Sequence, residues 1–256
     1  MTTTAECTID VPLVRLRSAI AAVVVHAEPT KTGDEVSALS RVRIIAGASE
    51  LFVVATNLTT SALAALTIVE DSRAERFGAD DGEFGVDISP GLIRDLFSTL
   101  RPRKADVDAS DQLARLHFTD EYLTATDVSG LWPGSQTRKP LLPYSSDYPD
   151  VVDALAVALG GAGEAQAAKP LVANGGALAL FRHAATAYDR PLQFEATGPA
   201  TSRGFVVWCG PDFVGHVSSA HNDDNSLGRR DAERRKHLER LGLTATQEAL
   251  DMLAGV

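Results

Sequence analysis

The chain is poor in the residues that build covalent or metal-held scaffolds. It has two cysteines in 256 residues, Cys7 and Cys209. That excludes a disulfide framework and a four-cysteine zinc site, and a reducing, cytoplasmic setting is expected. Long apolar runs are missing too. The longest, Ala19 to Val25, is far below the ~18 residues that span a bilayer, so no membrane partner is expected. The first six residues, MTTTAE, hold no basic region, so no secretory leader is expected. Positive charge is in the minority: 24 Lys and Arg against 34 Asp and Glu, a net charge of -10. A whole surface that coats nucleic acid is thereby excluded, although a local basic face is not. What is present is enough apolar material for a core, 45% hydrophobic against 23% charged residues.

The marks of catalysis are equally scarce. Gly160-Gly161-Ala162-Gly163 lacks the strand, lysine and hydroxyl residue of a phosphate loop. No Gly-x-Ser-x-Gly elbow occurs. None of the six histidines pairs with another at the four-residue spacing of a helical metal site. Asp223-Asp224 sits in an Asn- and Ser-containing stretch that fits an ordinary turn. Cys209 lies beside Trp208 in an alternating strand pattern, as a buried thiol does. No catalytic residue, metal site or cofactor is identified, and a non-enzymatic role is expected.

Periodicity divides the chain into short elements. Val11 to Val25 predicts a helix with Pro12 at its first position. Residues 42–48, 51–57 and 61–69 predict strands joined by hairpins. Glu83 to Ile88 predicts a strand. Ser89-Pro90 then opens a helix whose stripe is Leu92, Ile93, Leu96, Phe97 and Leu100, with Pro102 as its stop. Strands follow at 105–109, 113–118 and 122–128. Residues 132–150, with four prolines, predict an extended connector, and 153–168 a short helix. Residues 171–221 repeat the order seen in 83–130: strand, helix, an Arg-Pro stop, strand, strand, tight turn, strand. Such repetition is the most informative feature of the sequence. The tail 222–256 predicts charged helices, Arg229 to Leu241 and Thr246 to Leu253.

The helices carry basic residues: Arg15 and Arg17 on the first, Arg94 with Arg101, Arg103 and Lys104 on and after the second, and Arg182 and Arg190 with the last. Carboxylates concentrate in loops and turns. If the helices share one face, that face is basic on an acidic body.

Three segments then fall in a recognisable order. Leu51-Phe52-Val53-Val54-Ala55-Thr56-Asn57-Leu58 resembles the "L-x-L-x-A-T-D-L" strand of the bacterial DNA polymerase III beta sliding clamp. Leu123-Thr124-Ala125-Thr126-Asp127 occupies the strand that closes such a domain. Leu142 to Asp150, LPYSSDYPD, is similar to the "L-P-x-x-D-F-P" segment that leads from one clamp domain to the next. The resemblance covers about one and a half domains: a clamp-like domain at 1–151, a second-half domain at 152–221, and a helical tail at 222–256 outside it.

The resemblance implies an α+β DNA-clamp fold, with repeated antiparallel sheets and helices on one face. It implies a homo-oligomeric ring of six such domains around duplex DNA, and a processivity factor that tethers a DNA polymerase and is placed by a clamp loader. Arg15, Arg17, Arg94, Arg101, Arg103, Lys104, Arg182 and Arg190 would face duplex phosphates without reading sequence. Val206, Trp208 and Val217 would belong to a partner-peptide pocket on the outer surface. An open edge such as Leu63 to Val69 would pair across subunits. The tail is expected to dock on the incomplete second domain. Two alternatives stay open: a clamp-like regulator or decoy that binds replication proteins without forming a ring, and an unrecognised hydrolase or metal enzyme, which an ion bound at His216, His221 or Asp223 would support.

Overall fold

A computed structural model describes residues 6–29, 36–47, 49–69, 84–100, 112–130, 132–160, 173–197 and 204–219. The expected strand at 105–109, residues 171 and 172 of another, and the whole tail lie outside these. So do Arg101, Arg103, Lys104, His221 and Asp223.

The first element among the described residues is a strand that its sequence pattern hides. β1 (Cys7–Pro12) precedes α1 (Leu13–Val23), and Pro12 is the extended N-cap of that helix. The expected start at Val11 is therefore corrected. Proline in an extended backbone closes the strand, and the stripe Leu13, Leu16, Ile20 and Val23 then buries one helix face. A 3-10 turn, Val24–His26, follows.

β2 (Val42–Ala46), β3 (Glu50–Thr56) and β4 (Thr60–Thr67) form an antiparallel meander, as expected. The β3–β4 turn is tight. Asn57 Oδ1 accepts from the Thr59 and Thr60 N–H groups, and Leu58 takes a φ of 66°. β5 (Phe84–Ile88) leads into α2 (Pro90–Thr99), where Ser89 Oγ accepts from the Leu92 N–H as the cap. β6 (Leu113–Phe118) and β7 (Tyr122–Asp127) follow, and β8 (Gln136–Pro140) pairs with β7. The connector thus contains a strand that its prolines conceal.

Two sheets result, both antiparallel. One has the order β1-β6-β7-β8, the other β5-β2-β3-β4-β11-β10-β9. The strand leading into each helix joins the other unit's meander: β1 pairs with β6, and β5 pairs with β2. Residues 7–140 are therefore two interlocked strand–helix–meander motifs.

α3 (Val151–Gly160) comes next, then α4 (Gly175–Leu180) and α5 (Arg182–Tyr188). The single helix expected over 177–188 is interrupted at Phe181, whose ring is fully buried. A third meander follows: β9 (Gln193–Ala196), β10 (Gly204–Trp208) and β11 (Phe213–Ser218). β11 pairs with β4, from Val217 opposite Thr60 to Phe213 opposite Ala64. The β4 edge, expected to pair across subunits, is covered within the chain.

One continuous core gathers Ile9, Leu116 and Phe118 from the first sheet and Ile44, Val53 and Val207 from the second. Leu16, Ile20, Ile93, Leu96 and Phe181 join it from the helices. α3 departs from the expectation of helices on one face. Its Val151 and Leu155 pack with Val54 and Tyr148, and Val54 points away from Val53 by strand alternation. α3 thus covers the opposite face of the seven-stranded sheet, near the β4–β11 join.

Candidate nucleic-acid interface

α1 packs against both α2 and α5, so these helices form one layer. The exposed positions of that layer follow from what each helix buries. Arg15 is exposed on α1, Arg94 on α2 and Arg182 on α5. Across α1, α2, α4 and α5 the only carboxylate is Asp95, against Arg15, Arg17, Arg94 and Arg182. A basic helix layer thus stands on a chain of net charge -10. Arg15 lies 3.5 Å from Asp212, in an exposed pair that water screens. Lys139 stands 3.7 Å from Asp95.

Arg17 has a different environment. Its guanidinium donates to the carbonyl oxygens of Phe97 and Leu100, the latter at 2.6 Å. These are orphan acceptors at the C-terminus of α2, where a cation also suits the helix dipole. Arg190 follows α5 and is exposed, with its aliphatic stem against Gly210, which takes a φ of +70°.

Val206, Trp208 and Val217 do not form one wall. Val206 and Val217 are fully buried. Val217 stands opposite Phe205 and belongs to the core, whereas Val206 and Trp208 point to the other face. Trp208 alone reaches a cavity, of about 360 Å³, with Arg190, Glu195 and Pro211.

The outer face also carries a cleft of about 680 Å³, bounded by Ile45, Phe52, Tyr144, Tyr148 and the start of α3. Its floor is a charged lock that sequence reasoning missed. Asp87 is fully buried and accepts from Arg43 Nε at 2.7 Å, Arg43 Nη2 at 3.0 Å and Arg41 Nη1 at 3.0 Å. The Ser145 N–H adds a fourth bond at 3.1 Å. Arg43 lies between the rings of Tyr144 and Tyr148, 4.2 and 4.4 Å from their centroids. Arg41 and Arg43 also donate to the carbonyls of Pro143 and Ser145. The LPYSSDYPD segment is thus pinned to the sheet. Burial pushes the Tyr148 phenol up, against the pull of Arg43, so it stays a neutral donor to the Val54 carbonyl.

Burial likewise raises the Cys209 thiol and lowers His216. His26 is held down to about 3, chiefly by burial and then by His183. Its Nδ1 shares a 2.9 Å hydrogen bond with Thr60 Oγ1. A thiol kept protonated is a poor nucleophile. Among the described residues, no group of three His, Cys, Asp or Glu side chains is placed to hold a metal ion. No helix among them is long and apolar enough to cross a membrane.

No protein-family model matches the chain, and no curated protein matches it by sequence. Solved structures do match by shape. A DNA polymerase sliding clamp from Pseudomonas aeruginosa aligns with a TM-score of 0.54 at 13% identity, over 87% of this chain and 67% of that one. The DNA polymerase III beta subunit of Thermotoga maritima gives 0.54 at 10% identity, over 86% and 67%. The clamp of Bacillus subtilis gives 0.52 at 14%, over 84% and 64%. The chain therefore spans about two thirds of the length of these clamps. With its interlocked motifs, its antiparallel sheets and this likeness in shape, the chain has the DNA sliding-clamp fold.

Proposed function

We propose that this chain is a non-catalytic DNA sliding clamp, which assembles from several copies around duplex DNA and tethers a polymerase after placement by a clamp loader. In this reading residues 1–151 are a clamp domain, 152–221 a second half-domain and 222–256 an added helical tail. The observation that carries it is the helix layer: Arg15, Arg94 and Arg182 exposed on neighbouring helices, with one carboxylate among them. A layer of this kind meets phosphates and reads no bases, so it holds duplex while letting it slide. In this reading Arg190 adds to the same surface and Arg17 supports it from beneath through α2, while Arg101, Arg103 and Lys104 lie outside the described residues. A topological tether needs little affinity, which fits a chain of net negative charge. The test is titration of unrelated duplexes over a range of salt. The reading predicts weak binding, equal across sequences, that falls steeply with salt. Sequence preference, or binding indifferent to salt, overturns it.

A second reading, a clamp-like regulator or decoy that engages replication proteins without closing a ring, is favoured by the third motif, of which the described residues hold one meander and no paired leading strand. Loss of the exposed arginines would then leave partner binding unchanged.

A further inference from the structure

The exposed arginines of the helix layer are not equally free. Arg15 on α1 stands 3.5 Å from the Asp212 carboxylate. Among the described residues neither Arg94 on α2 nor Arg182 on α5 has a carboxylate at ion-pair distance. Asp95, the carboxylate carried by the layer itself, is met by Lys139 at 3.7 Å. Asp212 belongs to no helix. It comes from the turn between β10 and β11, in the third meander.

That turn holds its carboxylate in place. Gly210 takes a φ of +70°, and Pro211 fixes the φ that follows. The Cys209 N–H donates to the Phe213 carbonyl at 3.2 Å and closes the turn. The Asp212 carbonyl accepts from the Ala65 N–H at 2.9 Å, which ties the turn to β4. Phe213 is 1% exposed, and its ring stands 6.1 Å from that of Tyr188 at the end of α5. Ser18 on α1 donates to the Ala187 carbonyl of α5 at 2.8 Å. α1, α5 and the turn thus meet at one point, and the backbone presents Asp212 there.

The two partners differ in freedom. The Arg15 side chain is 59% exposed and the Asp212 side chain 32%. The arginine has a long stem in water, whereas the aspartate is short and sits on a braced turn. Burial, and after it Asp212, push the Tyr188 phenol up, while Arg15 pulls it down. The Tyr188 hydroxyl has no hydrogen-bond partner among the described residues, so it takes no share of the carboxylate. An exposed pair of this kind holds weakly, and a phosphate competes for the same guanidinium.

We propose that Asp212 is a resident counter-charge of the helix layer: it holds Arg15 while the layer is empty and yields it to a phosphate when duplex binds. The inference rests on the duplex-binding reading and adds an exchange to it. Arg15 gains on a phosphate only the excess over what it gives up on Asp212, so its contact adds little affinity. Salt dependence follows from the same exchange. An arginine that neutralises a phosphate releases a condensed cation. Asp212, bared by that move, attracts a cation back, so the net release is smaller. Arg94 and Arg182 make no such exchange and contribute to the salt slope in full.

The experiment titrates the full chain with unrelated duplexes over a range of salt. Asp212→Asn is expected to bind roughly three- to fivefold tighter than the wild type and to steepen the salt slope by up to about 0.9. Asp212→Glu keeps the charge and is expected to bind as the wild type does. On an Arg15→Gln chain, Asp212→Asn is expected to change affinity and slope far less. Asp212→Ser supplies a second charge-free side chain, and melting temperatures show which variants keep the fold. A carboxylate that only repels duplex gives the same gain with and without Arg15, and that result overturns the inference. Wild-type binding that Asp212→Asn and Asp212→Ser both leave unchanged overturns it too, while the duplex reading stands. If no chain shows salt-dependent duplex binding, the duplex reading falls and the inference falls with it.

Discussion

Asp87 on β5 lies directly opposite Arg43 on β2, and the two meet through paired hydrogen bonds of 2.7 and 3.0 Å. Asp10 on β1 meets Arg115 on β6 in the same way, at 2.8 and 2.8 Å. Position is shared and both aspartates are buried, but their arginine partners differ. Asp87 is fully enclosed and also serves Arg41, whereas the Arg115 side chain is 50% exposed. Breaking a buried pair from one side leaves a charge without its partner and costs roughly 3–5 kcal/mol. A half-exposed pair contributes about 1 kcal/mol or less. Asp87→Asn should therefore lower the urea midpoint far more than Asp10→Asn. Equal losses would mean that the lock around Tyr144 and Tyr148 adds nothing.

The buried His26 makes stability depend on acid. Its folded value is about 3, held down by burial, against about 6.5 in an unfolded chain. Between those values the unfolded chain binds a proton that the folded chain refuses, so stability is present above pH 6.5 and is lost as pH falls. At pH 5 the loss is about 2 kcal/mol. Denaturant titrations from pH 8 to 4.5 should show it, and His26→Gln should flatten the curve in that window.

Arg17 and Arg94 should separate stability from DNA contact. Arg17→Ala removes charged donors from the Phe97 and Leu100 carbonyls and should cost roughly 1.5–3 kcal/mol in unfolding free energy. Arg94→Ala, on an exposed face, should leave the melting temperature in place. It should weaken duplex binding evenly across sequences and reduce the salt slope by about 1. The reverse pattern would assign the phosphate contact to Arg17.

Gly215 lets Phe181 reach the junction of β4 and β11. A Cβ there would stand 2.3 Å from Phe181 Cε1 and 2.9 Å from the Ser61 carbonyl. Gly215→Ala should cost about 1–3 kcal/mol through overpacking. Limited proteolysis should then cut the third meander first, because that substitution separates Phe181 and Phe213 from the His26 side.

Much of the fold is legible in the sequence where one face alternates cleanly. β3, β4 and α2 follow their apolar periods, and Ser89-Pro90 marks its helix start. β1 is hidden because Asp10 and Pro12 break an apolar run that otherwise reads as helix. β8, QTRKP, has no apolar period because it is an edge strand, held by backbone pairing to β7. The repeat of β1–α1 in β5–α2 shows in the sequence as an aspartate three residues before each helix, with an arginine on the strand opposite. Its signal is two residues in each copy, too sparse to stand out before the register is known. Arg15, Arg94 and Arg182 are legible as exposed helix positions. The turning back of Arg17 onto α2, and the burial of Val206 on one sheet face and Val217 on the other, depend on packing between distant elements.

The central claim is a ring threaded by DNA, and retention on blocked duplex tests it most directly. The full chain is mixed with a linear duplex fixed to a bead at one end, and the free end is then either left open or closed with a bulky protein cap. Washing at high salt removes phosphate contacts. A threaded ring predicts that protein stays on the capped duplex and is lost from the open one. Equal loss from both would contradict the clamp reading and leave the regulator in its place.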